Sequence, residues 1–185
     1  SSDRLDMDPA ELGDLVNQIR EHGQQVPILV RPHQAIGGRY QVAYGHRRLA
    51  AVRQLGFKVK AVIRELSDDQ LVVSQGQENN ARTNLSYIER ALFASRLEDR
   101  SFEPDVIMAA LNVDKAALSK MISVVRQIPT PLIEAIGAAP QIGRRRWMEL
   151  AEKLPSAQVE LKTILDSLSA DNSSDQRFQD AFDAL

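Results

Sequence analysis

A chain of 185 residues can bury a core of ordinary size, as one domain or as two small ones. With no cysteine, disulfides, thiolate metal sites and a cysteine nucleophile are excluded, and with no run of about 18 apolar residues so is a membrane-spanning helix. A net charge of −2 and a pI near 5.9 argue, for the chain taken whole, against a nucleic-acid binder.

Ser1 to Pro9 is polar and acidic with no export signal, which favours the cytoplasm. Lacking an initial Met, the chain reads as a piece of a longer protein. Asp8 as N-cap, Pro9 at the first helical position and Glu11 closing a capping box predict a helix start. Leu12, Leu15, Val16 and Ile19 then repeat at helical spacing up to Gly23, a helix stop. Gln25 to Arg31 (QVPILVR) predicts a strand and Pro32 to Gly38 a turn.

Gly37 to Gly56, GGRYQVAYGHRRLAAVRQLG, carries the most chemistry. It reads as a turn, a strand alternating at Tyr40, Val42 and Tyr44, a glycine, and a helix opening on Arg47-Arg48. Glycine at a strand-to-helix passage lets the backbone approach a ligand, and free first-turn N–H groups attract an anion. Arginines add planar donors suited to phosphate. A phosphate cradle fits these residues; a solvated basic helix start that binds nothing fits them too.

Val59 to Ile63 predicts another strand, and Ser67-Asp68-Asp69 the cap of a helix running towards Asn80. Strands alternating with helices over about the first 80 residues make a small α/β unit. Gln77 to Arg82 gathers Glu78, amides including Asn79, and Arg82. Such oxygens suit a hydrated Mg²⁺ beside substrate phosphates, and Arg82 suits a phosphate; the alternative is a helix end with solvated polar residues.

After Asn84 the strand signals stop, which marks a boundary near residues 80 to 85. Ser86 and Glu89 form a second capping box for a helix over Ile88 to Arg100. Phe102 to Val125 reads as helix-turn-helix, with Val106, Ile107, Ala110 and Leu111 inward on the first helix. Asn112 to Asp114 makes the turn, and Leu118, Met121 and Ile122 bury the second helix. Lys115, Ala116, Ser119, Lys120 and Ser123 are left outward, where a recognition helix meets base edges. Plain helical packing gives a similar pattern. Helices are also expected over Leu132 to Ile136 and from Gly143, with Trp147, Leu150 and Leu154 inward. Arg144, Arg145 and Arg146 at a helix start oppose the dipole, which suits them to phosphate contact. From Val113 to Trp147 six cations stand against two carboxylates, a local excess of four positive charges. Ser156 to Leu168 is expected as an amphipathic helix and Ser169 to Asp175 as a linker. Phe178, Phe182 and Leu185 form a last stripe, read as local packing or part of an interface.

The ordered set QVPILVR (Gln25 to Arg31), GHRRLAA (Gly45 to Ala51), ENNAR (Glu78 to Arg82), NLSYIERA (Asn84 to Ala91) and then helix-turn-helix resembles the ParB family of centromere-binding partition proteins. Within it the set is most similar to the RepB branch of repABC-type plasmids, over roughly Asp3 to Leu154. The resemblance implies an α+β ParB/sulfiredoxin-like nucleotide-binding domain over 1–84, then an all-α helix-turn-helix DNA-binding domain over 85–155. Residues 156–185 would be C-terminal helices and a linker to a dimerisation region.

The resemblance further implies CTP phosphates at Gly45, His46, Arg47 and Arg48, and Mg²⁺ and phosphate contacts at Glu78, Asn79 and Arg82. The chain departs from the family pattern at His46 and Ala81, where glutamate and glutamine are usual, so at most slow CTP hydrolysis is expected. The implied partners are double-stranded DNA with a palindromic centromere site, a ParA-type ATPase (RepA for this branch) and a second copy in a homodimer that closes as a clamp. Two alternatives remain: a ParB-type repressor without a nucleotide switch, which shares all these motifs, and a small-molecule enzyme on the same α/β scaffold, against which the appended DNA-reading helices argue. Sulfiredoxin activity is excluded, because it needs a cysteine.

Overall fold

The structure is a computed structural model that describes residues 9–81 and 85–185. The chain divides into two compact units, Ser1–Glu78 and Asn79–Leu185.

In the first unit, α1 (Pro9–His22) ends where Gly23 takes a φ of 74° and its N–H returns 2.8 Å to the Ile19 carbonyl. Asp8, expected as the N-cap, lies outside the described residues. A three-stranded sheet follows, in the order β2 (Tyr40–Tyr44), β1 (Ile28–Pro32), β3 (Ala61–Ile63), with β1 antiparallel to β2 and parallel to β3. Strand β1 starts at Ile28, three residues later than expected. Pro27 has no N–H to give a ladder, and the buried Gln24 amide does the joining. It donates to the carbonyls of Val26 (3.0 Å) and Lys60 (2.8 Å) and accepts from Lys60 N–H at 2.7 Å. Between β2 and β3 lies α2 (His46–Leu55); α3 (Asp68–Ala81) follows β3. Val16 and Ile19 of α1 bury against Ala51 and Val52 of α2.

Arg31 is buried inside this sheet. Its guanidinium donates to Gln41 (2.8 Å), to the Leu66 carbonyl (3.0 Å) and to Asp68 (2.7 Å), so each of its three nitrogens has a partner. The motif arginine is therefore a clamp between β1, β2 and the start of α3.

The second unit is all helical: α4 (Tyr87–Asp99), α5 (Pro104–Leu111), α6 (Lys115–Gln127), α7 (Thr130–Ile136), α8 (Arg144–Lys153), α9 (Leu161–Asp166) and α10 (Ser174–Asp183). Both halves of the α4 capping box are present, Ser86 accepting from Glu89 N–H and Glu89 from Ser86 N–H. Asn112 takes the left-handed conformation at φ 53°, which closes α5, and Asp114 caps α6 by accepting from Ala117 N–H at 2.7 Å. Fully buried Trp147, Leu132, Ile136, Leu150 and Phe178 fill the core.

The C-terminal stretch differs from expectation. Pro155 turns the chain through a 3-10 segment (Leu154–Ser156), and α9 spans only Leu161–Asp166. Ser173 caps α10 by accepting from Gln176 N–H at 3.1 Å, so Ser174 and Asp175 are helix, not linker. Phe178 meets Trp147 edge-on with ring centroids 4.8 Å apart, which places α10 in the same core as Ile88 of α4, Val124 of α6 and Leu132 of α7. Among the described residues no helix is long and apolar enough to cross a membrane.

Candidate functional site

Gly45 joins β2 to α2 at a φ of 98°, a conformation open to glycine at little cost. A Cβ built there would stand 2.5 Å from Ile28 Cγ2, so the backbone also needs the missing side chain to pass β1. The turn aims its N–H groups into the unit, and an anion does meet them. It is the chain's own Glu78: Oε1 accepts from Gly45 N–H and His46 N–H, both at 3.0 Å, and Oε2 lies 2.8 Å from His46 Nδ1. The carboxylate is 7% exposed, so these partners stand in for the water it has lost. The helix N-terminus adds its positive end to the same seat.

The two expected arginines flank the seat and are already engaged. Arg47 donates to Glu11 of α1 at 2.9 Å. Arg48 donates to the Pro27 carbonyl at 2.8 Å and lies 5.6 Å from the centre of the Tyr44 ring. Beside Arg48 opens a pocket of about 510 Å³ between α1 and the approach to β1, lined by Leu15, Ile19, His22, Gln24 and Gln25. No sequence pattern marks it, because its walls come from two elements and a loop.

The structure thus brings Gly45, His46 and Glu78 together, with Arg47 and Arg48 beside them. Asn79 follows Glu78 on α3 and is half-buried. Arg82 lies outside the described residues. Of the expected metal pair, Glu78 has both oxygens turned to Gly45 and His46. Among the described residues no group of three His, Cys, Asp or Glu side chains could hold a metal ion.

On α6 the five outward residues, Lys115, Ala116, Ser119, Lys120 and Ser123, are all exposed, while Leu118, Met121 and Val124 are buried. Helix α8 packs on α6 and begins with Arg144 and Arg145 exposed. Two of the six expected cations are neutralised. Arg126 bridges Glu98 (2.9 Å) and Asp99 (2.7 Å), and these hydrogen bonds raise its pKa further. Arg146 turns inward, donating to Glu149 (3.1 Å) and Gln179 (2.9 Å) and lying 4.2 Å from the Phe182 ring centre. It is a packing residue, not an outward contact. Lys115, Lys120 and Arg144 have no ion pair among the described residues, and Arg145 reaches Glu149 only at 3.7 Å. Beneath α8, burial raises the Tyr87 phenol pKa while Arg144 and Arg90 pull it down.

Comparison with known proteins gives these features a family. Residues 1–80 match the ParB N-terminal domain, and residues 81–185 match the RepB plasmid partitioning protein. Over 142 residues the chain is 56% identical to replication protein B of Rhizobium rhizogenes, covering 77% of this chain and 45% of that one. Over 187 residues it is 44% identical to replication protein B of Sinorhizobium fredii, covering 100% of this chain and 57% of that one. The chain therefore spans about half the length of the curated relatives it matches. In fold it is similar to the C-terminally truncated chromosome-partitioning protein ParB of Caulobacter crescentus complexed to the centromeric parS site. The TM-score is 0.56 at 22% identity, covering 88% of this chain and 89% of that one.

Proposed function

The chain belongs to the RepB family of plasmid partitioning proteins, and from that membership we propose that it binds a specific centromere-like DNA site under the control of a nucleoside triphosphate, CTP, held at Gly45. The observation that supports the nucleotide half is the seat itself. Gly45 N–H, His46 N–H and the α2 terminus already coordinate an anion, the Glu78 carboxylate. In this reading Glu78 keeps the seat while no nucleotide is bound, and a phosphate group displaces it. Arg47 and Arg48 then exchange Glu11 and the Pro27 carbonyl for phosphate oxygens. The pocket beside Arg48 would take the base, with the Gln24 and Gln25 amides near its polar edge. No step is carried through Mg²⁺, because Glu78 is turned to the amides.

For the DNA half, α6 presents Lys115, Ala116, Ser119, Lys120 and Ser123 to the major groove, and Arg144 and Arg145 meet the phosphate backbone. Two copies on a palindromic site, closing as a clamp and served by a ParA-type ATPase, complete the reading; both come from family membership. A second reading, a DNA-binding repressor without a nucleotide switch, draws support from the same seat. His46 and Glu78 satisfy each other so well that no ligand is needed to complete it.

Lys120→Ala tests the DNA half. If Lys120 reads a base edge, specific binding weakens by about 1–3 kcal/mol while binding to random duplex is nearly unchanged. An equal loss on both DNAs, measured by equilibrium titration, assigns Lys120 to phosphate contact instead.

A further inference from the structure

We infer that α10 is a brace that positions the arginine-bearing start of α8 for DNA, with Arg177 as its central positioning residue. The inference rests on the reading that Arg144 and Arg145 meet phosphates.

The start of α8 is poorly built by its own sequence. Gly143 caps it with no side-chain hydrogen bond, and the first turn has no acidic residue to offset its arginines. Like charges on consecutive residues at the positive end of a helix favour fraying. Glu149, one turn on, offsets Arg146 and, at 3.7 Å, Arg145; the loop before the helix is held by α10, more than 30 residues away. Arg177 Nε donates to the Ile136 carbonyl at 2.9 Å, Ser174 Oγ accepts from Ala139 N–H at 2.9 Å, and Asp175 accepts from Gln141 N–H at 2.9 Å. These three bonds satisfy the backbone of the loop leading into α8.

Arg177 is itself fixed by donating to the Asn172 carbonyl, at 2.6 Å, in the turn before α10. It also packs close over Gly137, where a Cβ would stand 3.0 Å from its Nη2. On the far side of Arg144-Arg145, Arg146 is held by Gln179 and Phe182, and Trp147 by Phe178. The two outward arginines are therefore pinned before and after by one helix, which carries neither of them. A helix that satisfies the loop on one side and the anchor on the other sets where both guanidinium groups point.

Binding of the chain to a random duplex between 50 and 200 mM salt tests this, since phosphate contacts are independent of sequence. Arg144→Ala/Arg145→Ala lowers the slope of log affinity against log salt by up to about 2 units, at about 0.9 per lost phosphate contact. Arg177→Ala produces a loss in the same direction and a flatter slope, although it touches no DNA. Added to the double arginine variant, it has no further effect. Arg177→Lys, which keeps one donor, recovers part of the affinity. If Arg177→Ala prevents folding, Ser174→Ala and Asp175→Ala each remove one loop bond and show the same flattening.

A wild-type slope in folded Arg177→Ala, beside a weakened double variant, overturns the brace and leaves the DNA reading intact. A loss that simply adds to that of the double variant also overturns it, since it marks general destabilisation. If the double variant binds as wild type does, the DNA role of α8 fails and the brace falls with it.

Discussion

Trp147→Ala is expected to destabilise the helical unit by about 3–5 kcal/mol. A domain's margin is only about 5–15 kcal/mol, so this variant sits near the edge of folding. Trp147 is fully buried and is among the largest of the wholly enclosed side chains. Its ring meets Phe178 edge-on at 4.8 Å, and Leu150 and Ile133 belong to the same cluster. Alanine leaves an indole-sized void that rigid helices on several sides cannot fill. Among the described residues Trp147 Nε1 has no hydrogen-bond partner. Trp147→Phe removes that donor with a smaller cavity and should cost clearly less than alanine. Urea unfolding followed by far-UV circular dichroism decides this, because the single Trp is lost as a fluorescent probe. A cost below about 1 kcal/mol for alanine would show that the core relaxes around the site.

Glu78→Ala should have two effects of opposite sign. The first is on stability: Gly45 and His46 lose a buried acceptor for their N–H groups, at a cost of about 1–3 kcal/mol. The second is on binding. Inorganic tripolyphosphate, titrated in EDTA to exclude metal, no longer has to displace a carboxylate and should bind about tenfold more tightly, a difference of about 1.4 kcal/mol. Adding tripolyphosphate then restores the lost stability, because it satisfies the same two N–H groups. Glu78→Gln should fall between, since it keeps an acceptor oxygen without the charge. Isothermal titration and thermal melts of the three proteins measure both effects. Unchanged or weaker tripolyphosphate binding by Glu78→Ala would mean that Glu78 does not compete for the seat.

What the sequence made legible is what a few neighbouring residues decide among themselves. Gly23, Gly45 and Gly56 end or join elements because their positive φ is cheap only for glycine. Ser86 with Glu89, and Asp114 with Ala117, cap helices within a single turn. The inward faces of α5 and α6 follow largely from spacing, and all five outward residues on α6 are exposed. Val106 and Ile122, however, are only half-buried, and Val124 takes the inward place expected of Ile122. What stayed hidden depends on partners far along the chain. Gln24 joins Lys60 across 36 positions, Arg31 finds Asp68 across 37, and Glu78 finds Gly45 across 33. Local pattern named Gly45 and Glu78 as members of separate motifs, and only the fold shows one serving as the other's anion.

The basic surface shows the same limit. Counting charges along the sequence credits Arg126 and Arg146 to it, yet Glu98, Asp99, Glu149 and Gln179 absorb them from other helices or turns. The helix expected over Ser156 to Leu168 is shorter at both ends, because the 3-10 turn at Leu154–Ser156 delays its start to Leu161 and it closes at Asp166.

The measurement that bears most directly on this account is a titration of the chain with labelled CTP, with ATP and GTP as competitors. It is run with and without Mg²⁺ and with duplex DNA carrying a palindromic centromere site. The account predicts saturable CTP binding that tripolyphosphate competes away, that ATP and GTP displace poorly, and that the DNA strengthens. Tight, salt-sensitive DNA binding with no binding of any nucleotide would contradict it, and would leave Glu78 as the permanent occupant of the seat at Gly45.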